Sequence, residues 1–268
     1  MLEISPENPI GVFDSGVGGL SVLREIRRLL PHEDLLYVAD SAHVPYGEKS
    51  NAFIEARAIT ITEFFITQQA KAIVVACNTA TSAAVEALRA RFDLPIIAME
   101  PAIKPATEQS RSRIVGVLAT SGTLGSERFA NLRARHGNGI EIAVQPCPGW
   151  VELVESGDID SDATQALVSR YVTPLLEKGA DTLVLGCTHY PFLRDMIQRV
   201  AGTGITLIDP SPAVARELQR RLQQQQLLNP NSEAGSERFW SSGDPAQVAT
   251  TLSLLWRHAV VVNRLPEA

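Results

Sequence analysis

Six short apolar runs punctuate the chain, at 10–13 (IGVF), 35–39 (LLYVA), 72–76 (AIVVA), 95–99 (PIIAM), 114–119 (IVGVLA) and 182–186 (TLVLG). They are nearly continuous in Val, Ile and Leu rather than alternating with polar residues, the pattern of strands buried on both faces. Between and after them, helical periodicity covers about 20–30, 51–68, 82–91, 126–135, 162–177, 191–200 and 212–224. Strand runs alternating with amphipathic stretches predict βαβ units and parallel sheets, so the class is α/β. The polar segment 223–238 (QQQQLLNPNSEAGSER) is rich in turn formers and predicts an exposed, mobile connection.

One pattern recurs at long range. The stretch IGVFDSGVGGL (10–20) is echoed by VGVLATSGTL (115–124), each a strand run leading into a Gly/Ser turn. The 268-residue chain exceeds what one small core usually holds, and the echo predicts two halves built on one plan. In open parallel sheets ligands collect beyond the carboxyl ends of the strands, which is where these turns fall. Two such halves face to face would bring their turns to a common cleft.

Composition narrows the field of functions. Hydrophobic residues make up 45% and charged residues 20%, a globular balance that argues against a disordered chain. The net charge of -6 repels polyanions, so nucleic-acid binding would need a local basic patch. The one basic cluster, Arg24, Arg27 and Arg28, reads as a solvated helix face. The opening MLEISPENP lacks the basic and apolar regions of a signal peptide, and no apolar run is long enough to span a bilayer, which predicts a cytoplasmic protein. Three cysteines in such a chain are expected as free thiols rather than as a disulfide framework.

Two of those cysteines share a setting. Cys77 ends the run AIVVA and precedes Asn78, Thr79, Ala80 and Thr81; Cys187 ends TLVLG and precedes Thr188, His189, Tyr190 and Pro191. A thiol at a strand-to-helix junction faces backbone N–H groups that favour the thiolate. Core filling is the competing reading of each, and the repetition of the plan favours chemistry. His189 can tune the protonation of Cys187. Cys77, Cys187 and His189 offer no CxxC or HxxxH spacing, so no metal site is expected. Cys147, between prolines in QPCPG, reads as buried filler.

The turn after the first strand carries Asp14 and Ser15 before Gly16-Val17-Gly18-Gly19. It matches neither phosphate-binding glycine pattern, and the acid disfavours a phosphate. A carboxylate could take the free N–H groups while Asp14 meets an ammonium or thiol proton; helix capping is the alternative for both residues. Pro45, Tyr46 and Gly47 form a turn that presents backbone donors and one phenol, and Thr120 to Thr123 supply hydroxyls without an acid. Glu152 and Glu155, in WVELVESG, read as a helix face from which one could reach the cleft.

Taken together, DSGVGG, VPYG, ACNTAT, ATSGT and GCTHYP resemble the glutamate racemases of the aspartate/glutamate racemase family, in family order from about residue 10 to 210. The resemblance implies two similar parallel-sheet α/β domains, 1–99 completed by 210–268 and 100–209, with glutamate enclosed in the cleft between them. It implies racemisation of L- and D-glutamate with no cofactor and no metal, D-glutamate for peptidoglycan, and a homodimer. By motif match Cys77 and Cys187 are the acid/base pair, assisted by Asp14 and His189 respectively. The substrate-binding set is Asp14, Ser15, Tyr46, Gly47, Asn78, Thr79, Thr188 and His189, with Thr120 and Glu155 as further members.

Overall fold

The computed structural model describes residues 4–137 and 139–266. Among the described residues ten strands form: β1 (Ile10–Asp14), β2 (Leu35–Ala39), β3 (Ala72–Val75), β4 (Ile96–Ala98), β5 (Ile114–Ala119), β6 (Glu141–Pro146), β7 (Thr182–Leu185), β8 (Thr206–Ile208), β9 (Glu237–Ser241) and β10 (Val262–Arg264). They build two sheets, in the orders β10-β9-β2-β1-β3-β4 and β6-β5-β7-β8. Every pairing is parallel. The fold is therefore α/β with two parallel sheets, as the apolar runs predict.

The echo between 10–20 and 115–124 is topological. Around β1 the order runs β2-β1-β3-β4, and around β5 it runs β6-β5-β7-β8, so both sheets are wound alike. The match extends to single residues: a Cβ on Gly11 would lie 2.6 Å from the Phe65 ring, and one on Gly116 would lie 2.5 Å from Leu183. In each sheet a glycine in the central strand admits a neighbouring side chain that no larger residue would. One apolar cluster runs from the helix Leu20–Leu29 to Trp150, Leu185 and the helix Ser211–Gln224, while separate clusters cover the far face of each sheet.

Four strands and several helices lie outside the sequence expectation. β6 and β9 mix buried with exposed or part-exposed positions, β8 and β10 span three residues each, and none carries an apolar run longer than three residues. The helices Ile103–Gln109 and Pro245–Trp256 were likewise not expected, whereas Trp150–Ser156 is the helix on which Glu152 and Glu155 are read. The helix expected from 82 instead spans Asn78–Arg91, starting at the residue after Cys77. The helix expected over 191–200 opens as a tight turn at Tyr190–Leu193 and becomes α-helical over Arg194–Ala201. The segment 223–238 is exposed over much of its length, yet it is fastened and not loose: Asn229 N–H donates to Glu33 Oε1 (2.9 Å), Gly235 N–H to Pro31 O (2.9 Å) and Ser236 N–H to Asp34 Oδ1 (2.7 Å), and its last two residues open β9. No helix among the described residues is long and apolar enough to cross a membrane.

A buried ion contact anchors that strap. Lys71 is fully buried, with Nζ 2.5 Å from Glu33 Oε2 and donating to the Pro6 carbonyl. Removing one partner of a buried pair costs about 3–5 kcal/mol, because the other charge is left uncompensated. Lys71→Met should therefore lower unfolding free energy by about that amount in urea titration, and adding Glu33→Gln should recover most of the loss.

Candidate active site

Both cysteines leave the carboxyl ends of strands next to the centre of their sheets. Cys77 follows β3 and caps the helix Asn78–Arg91, its Sγ accepting from Ala80 N–H at 3.5 Å. Cys187 follows β7 after Gly186, where a Cβ would meet Leu118 O and Ala119 at 2.9 Å, so only glycine lets the strand turn there. Cys77 is 5% exposed and Cys187 7%, and they line one cavity, one thiol from each sheet. Cys147 is buried apart from that cavity with Sγ 3.3 Å from Gln145 O, in keeping with a filler.

Asp14 ends β1, fully buried, with Oδ2 accepting from Gly19 N–H at 2.7 Å. It caps the turn, and it also reaches across the halves, since Thr188 donates to the same oxygen at 3.3 Å. Ser15 Oγ lies 3.5 Å from Asp14 Oδ1 and 3.9 Å from Cys77 Sγ, a short chain from acid to thiol. Burial pushes the Asp14 carboxyl up from its ordinary range, against the pull of the His189 cation. Burial also pushes the Cys77 thiol well up, and the neighbouring Asp14 charge adds to it.

His189 stands on the other side. Its Nδ1 is 3.7 Å from Cys187 Sγ and its Nε2 is 2.6 Å from Glu155 Oε1. Burial alone would lower the imidazole, but the hydrogen bonds to Cys187 and Glu155 and the charges of those groups carry it well above its ordinary value. The same Glu155 oxygen accepts from Val17 N–H at 2.8 Å. The glycine turn is shaped to these partners: a Cβ on Gly16 would sit 1.9 Å from Glu155 Oε1, and one on Gly18 would sit 2.3 Å from His189 Nδ1. Glu155 thus works behind His189 and does not line the cysteine cavity, while Glu152 is exposed.

Ser15, Tyr46, Gly47, Asn78, Thr79, Thr120, Thr188 and His189 all line the cavity with the cysteines. Their polar groups differ in how they are spent. The Tyr46 phenol, expected to be presented, donates instead to Asp40 Oδ2 at 2.6 Å, and Asp40 is held in turn by Arg57 at 2.8 Å. Thr79 Oγ1 lies 3.0 Å from Thr120 Oγ1 and 3.2 Å from Thr123 Oγ1, so these hydroxyls join the halves to each other. Asn78 is the exception: it is 3% exposed, and neither its amide oxygen nor its amide nitrogen has a partner among the described residues. A buried amide without partners costs stability, and a polar ligand in the cavity would satisfy it. Gly47 abuts Thr120, and a Cβ on Gly122 would lie 3.1 Å from Gly47 O, which closes the cavity to about 10 Å³.

The Val17 N–H is a contributor that the sequence reading does not name, while Thr123 reads there only as one hydroxyl of its turn. Thr123 lies three residues after Thr120, whose Oγ1 caps the turn by accepting from Thr123 N–H at 3.2 Å. Among the described residues no group of three His, Cys, Asp or Glu side chains is arranged to hold a metal ion.

Known proteins share this sequence pattern and fold. The Asp/Glu/Hydantoin racemase model matches residues 10–218. The glutamate racemase of Methylococcus capsulatus is 58% identical over 261 residues, covering 97% of this chain and 96% of the relative. Among solved structures, glutamate racemase isoform RacE1 from Bacillus anthracis superposes with a TM-score of 0.89 at 31% identity, covering 97% of this chain and 98% of that one. Glutamate racemase from Francisella tularensis in complex with D-glutamate gives 0.84 at 30% identity, with the same coverage. With a matching family model over most of its length and two thiols meeting at the ends of two like-wound sheets, the chain belongs to the Asp/Glu/Hydantoin racemase family of isomerases.

Proposed function

We propose that the protein interconverts L- and D-glutamate by passing the Cα proton between Cys77 and Cys187, without a cofactor, and so supplies D-glutamate for peptidoglycan. The observation that carries the reading is the pair of buried thiols, one from each sheet, on a single cavity that also holds an unpartnered buried amide. The names of the relatives support the choice of glutamate. The domain division 1–99 with 210–268 and 100–209 is part of the same reading, as are a cytoplasmic location and assembly as a homodimer; the grouping of strands into two sheets supports the division.

Inversion at Cα requires a base on one face and an acid on the other, since a single base returns the proton to the side it came from. The two thiols take those parts and exchange them in the reverse reaction. Their surroundings set unequal starting states. Cys77, raised by burial and by Asp14, rests as a thiol able to donate. Beside Cys187 stands His189, its Nδ1 3.7 Å from the sulfur, and the hydrogen bonds and charges around that imidazole hold it well above its ordinary value, so a cation faces this side of the cavity. Asp14 takes the proton relay toward Cys77 through Ser15, and His189 stabilises the charge at Cys187.

The Cα proton of an amino acid is weakly acidic, so negative charge developing on the carboxylate must be met by aimed donors. The Asn78 amide and the backbone N–H groups beside Ser15, Thr79 and Thr188 serve this purpose. The hydroxyls of Thr79 and Thr120 hold the walls together instead. Glutamate does not fit a cavity of about 10 Å³, so entry requires the Gly47 turn to lift from Thr120 and Gly122; closing over substrate then excludes water and strengthens every donor.

Two experiments test this reading. Cys77→Ser and Cys187→Ser should each lose about 10²–10⁴ in proton abstraction, from opposite enantiomers, because each thiol removes the proton from one face. Following α-deuterium exchange in deuterated water with L- and D-glutamate separately, equal loss with both enantiomers in both variants would exclude the two-base assignment. The second concerns Glu155. Its carboxylate helps hold His189 above its ordinary value, so in Glu155→Gln the imidazolium is lost at a lower pH. The alkaline limb of kcat/KM that depends on charged His189 should move toward acid, and a profile that stays in place would remove Glu155 from this role.

A further inference from the structure

We propose that Ser21 is a positioning residue for the proton transfer at Cys187: its hydroxyl gives the Thr188 carbonyl the hydrogen bond that the surrounding turn cannot. The inference rests on the two-thiol reading above. The turn after β7 runs Cys187-Thr188-His189-Tyr190-Pro191, and its backbone bonds come in order, Tyr190 N–H donating to Cys187 O at 3.1 Å and Phe192 N–H to His189 O at 3.1 Å. The bond between them is missing, because position 191 is proline and has no N–H to offer Thr188 O. Among the described residues no backbone N–H takes its place. Thr188 is buried, and a buried carbonyl without a donor is costly. Ser21 Oγ reaches this one at 3.0 Å from the helix Leu20–Leu29, 167 residues away in the chain.

Two details aim the Ser21 proton at that carbonyl. Ser21 Oγ also lies 2.9 Å from Gly18 O, the ordinary contact of a serine in the first turn of a helix, but Gly18 O already accepts from Ser21 N–H at 3.0 Å. Buried Ser211, the first residue of the helix Ser211–Gln224, donates to Ser21 Oγ at 3.4 Å, so the Ser21 oxygen accepts there and keeps its own proton for a carbonyl. The consequence falls on His189. The Thr188 carbonyl belongs to the peptide that leads into His189, and the imidazole lies against Gly18, where a Cβ would sit 2.3 Å from Nδ1. One hydroxyl thus ties the backbone on which the ring stands to the backbone against which it rests. Thr188 is pinned at both ends, its carbonyl by Ser21 and its own hydroxyl by Asp14 at 3.3 Å. The 3.7 Å approach of the imidazole to Cys187 Sγ is set between those two points.

The test follows α-deuterium exchange with L- and D-glutamate separately in Ser21→Ala, Ser211→Ala and the double variant Ser21→Ala/Pro191→Ala. Ser21→Ala should lose about tenfold in exchange, the effect of stranding one buried carbonyl, on the enantiomer that Cys187→Ser also fails to exchange, and stay within about twofold on the other. Ser211→Ala leaves the Thr188 bond in place and should exchange both enantiomers at the wild-type rate. Pro191→Ala supplies an N–H three residues after Thr188, and His189 already has the helical backbone (φ -73°, ψ -33°) that such a bond needs, so the double variant should recover most of the loss. The imidazole nitrogen resonances of His189 in the ligand-free protein give a readout apart from catalysis: they should shift in Ser21→Ala and return toward the wild-type positions in the double variant. Equal loss with both enantiomers, wild-type exchange in Ser21→Ala, or a double variant no faster than Ser21→Ala with the His189 resonances still displaced would overturn the proposal. If Cys77→Ser and Cys187→Ser show no opposite preference, the two-thiol reading fails alone, and the His189 resonances still decide the role of Ser21.

Discussion

A single carboxylate oxygen, Glu155 Oε1, holds the site together. It accepts from Val17 N–H in the glycine turn after β1 and from His189 Nε2 in the turn after β7, segments more than 170 residues apart in the chain. Two donors on one anion fix both the height of the glycine turn and the plane of the imidazole. Gly16 and Gly18 are the price of that approach, because any Cβ there would overlap the carboxylate or the ring. The Gly-rich turn, which matches neither phosphate-binding pattern, is therefore a seat for protein side chains. Asp14 completes the seat from below, with Gly19 N–H and the Thr188 hydroxyl on its Oδ2.

That linkage gives two otherwise similar half-sites opposite electrostatic characters. The sheets are wound alike, and each delivers a cysteine from the strand next to its centre. The duplicated plan explains why the thiols face a common cavity, but it predicts equal thiols. Inequality comes from what the central strand of each sheet ends in. β1 ends in an acid, Asp14, which raises Cys77; β5 ends before Thr120, a hydroxyl, and the cation beside Cys187 comes from its own turn, two residues on. Acid–base difference is thus layered onto a symmetric scaffold by residues outside the repeated pattern.

This division also explains what the sequence makes legible. Strands buried on both faces write themselves as apolar runs, so the central strands are readable, and so are the cysteines that close two of them. β6, at a sheet edge, and β9, covered on one side only by the three-residue β10, mix buried with exposed positions, and β8 and β10 are too short to carry a pattern. Glu155 is named by the resemblance, but its contact with His189 is unreadable for a different reason. On its helix it is one of two acids three residues apart, and only the tertiary fold turns Glu152 to solvent and Glu155 to His189. The Tyr46 phenol is misread in the converse sense: a phenol in a turn looks available until Asp40 and Arg57 are found behind it. Asn78 is named by its motif, yet its significance lies in partners it lacks, which no sequence records.

Closure is the condition under which these shifted groups acquire their character. Asp14, Cys77 and His189 are displaced from their ordinary values through burial and through neighbouring charges, and the Gly47 turn lying against Thr120 and Gly122 helps enclose the cavity that Cys77 and His189 line. Parting the halves to admit glutamate lets water in, and water relaxes desolvation and screens the couplings between the charges. Cys77 would then drift toward ordinary thiol behaviour in the open form and be raised again only around bound substrate. In the proposed two-thiol mechanism this ties proton transfer to enclosure, because the contacts that exclude solvent also set the character of the groups around the thiols.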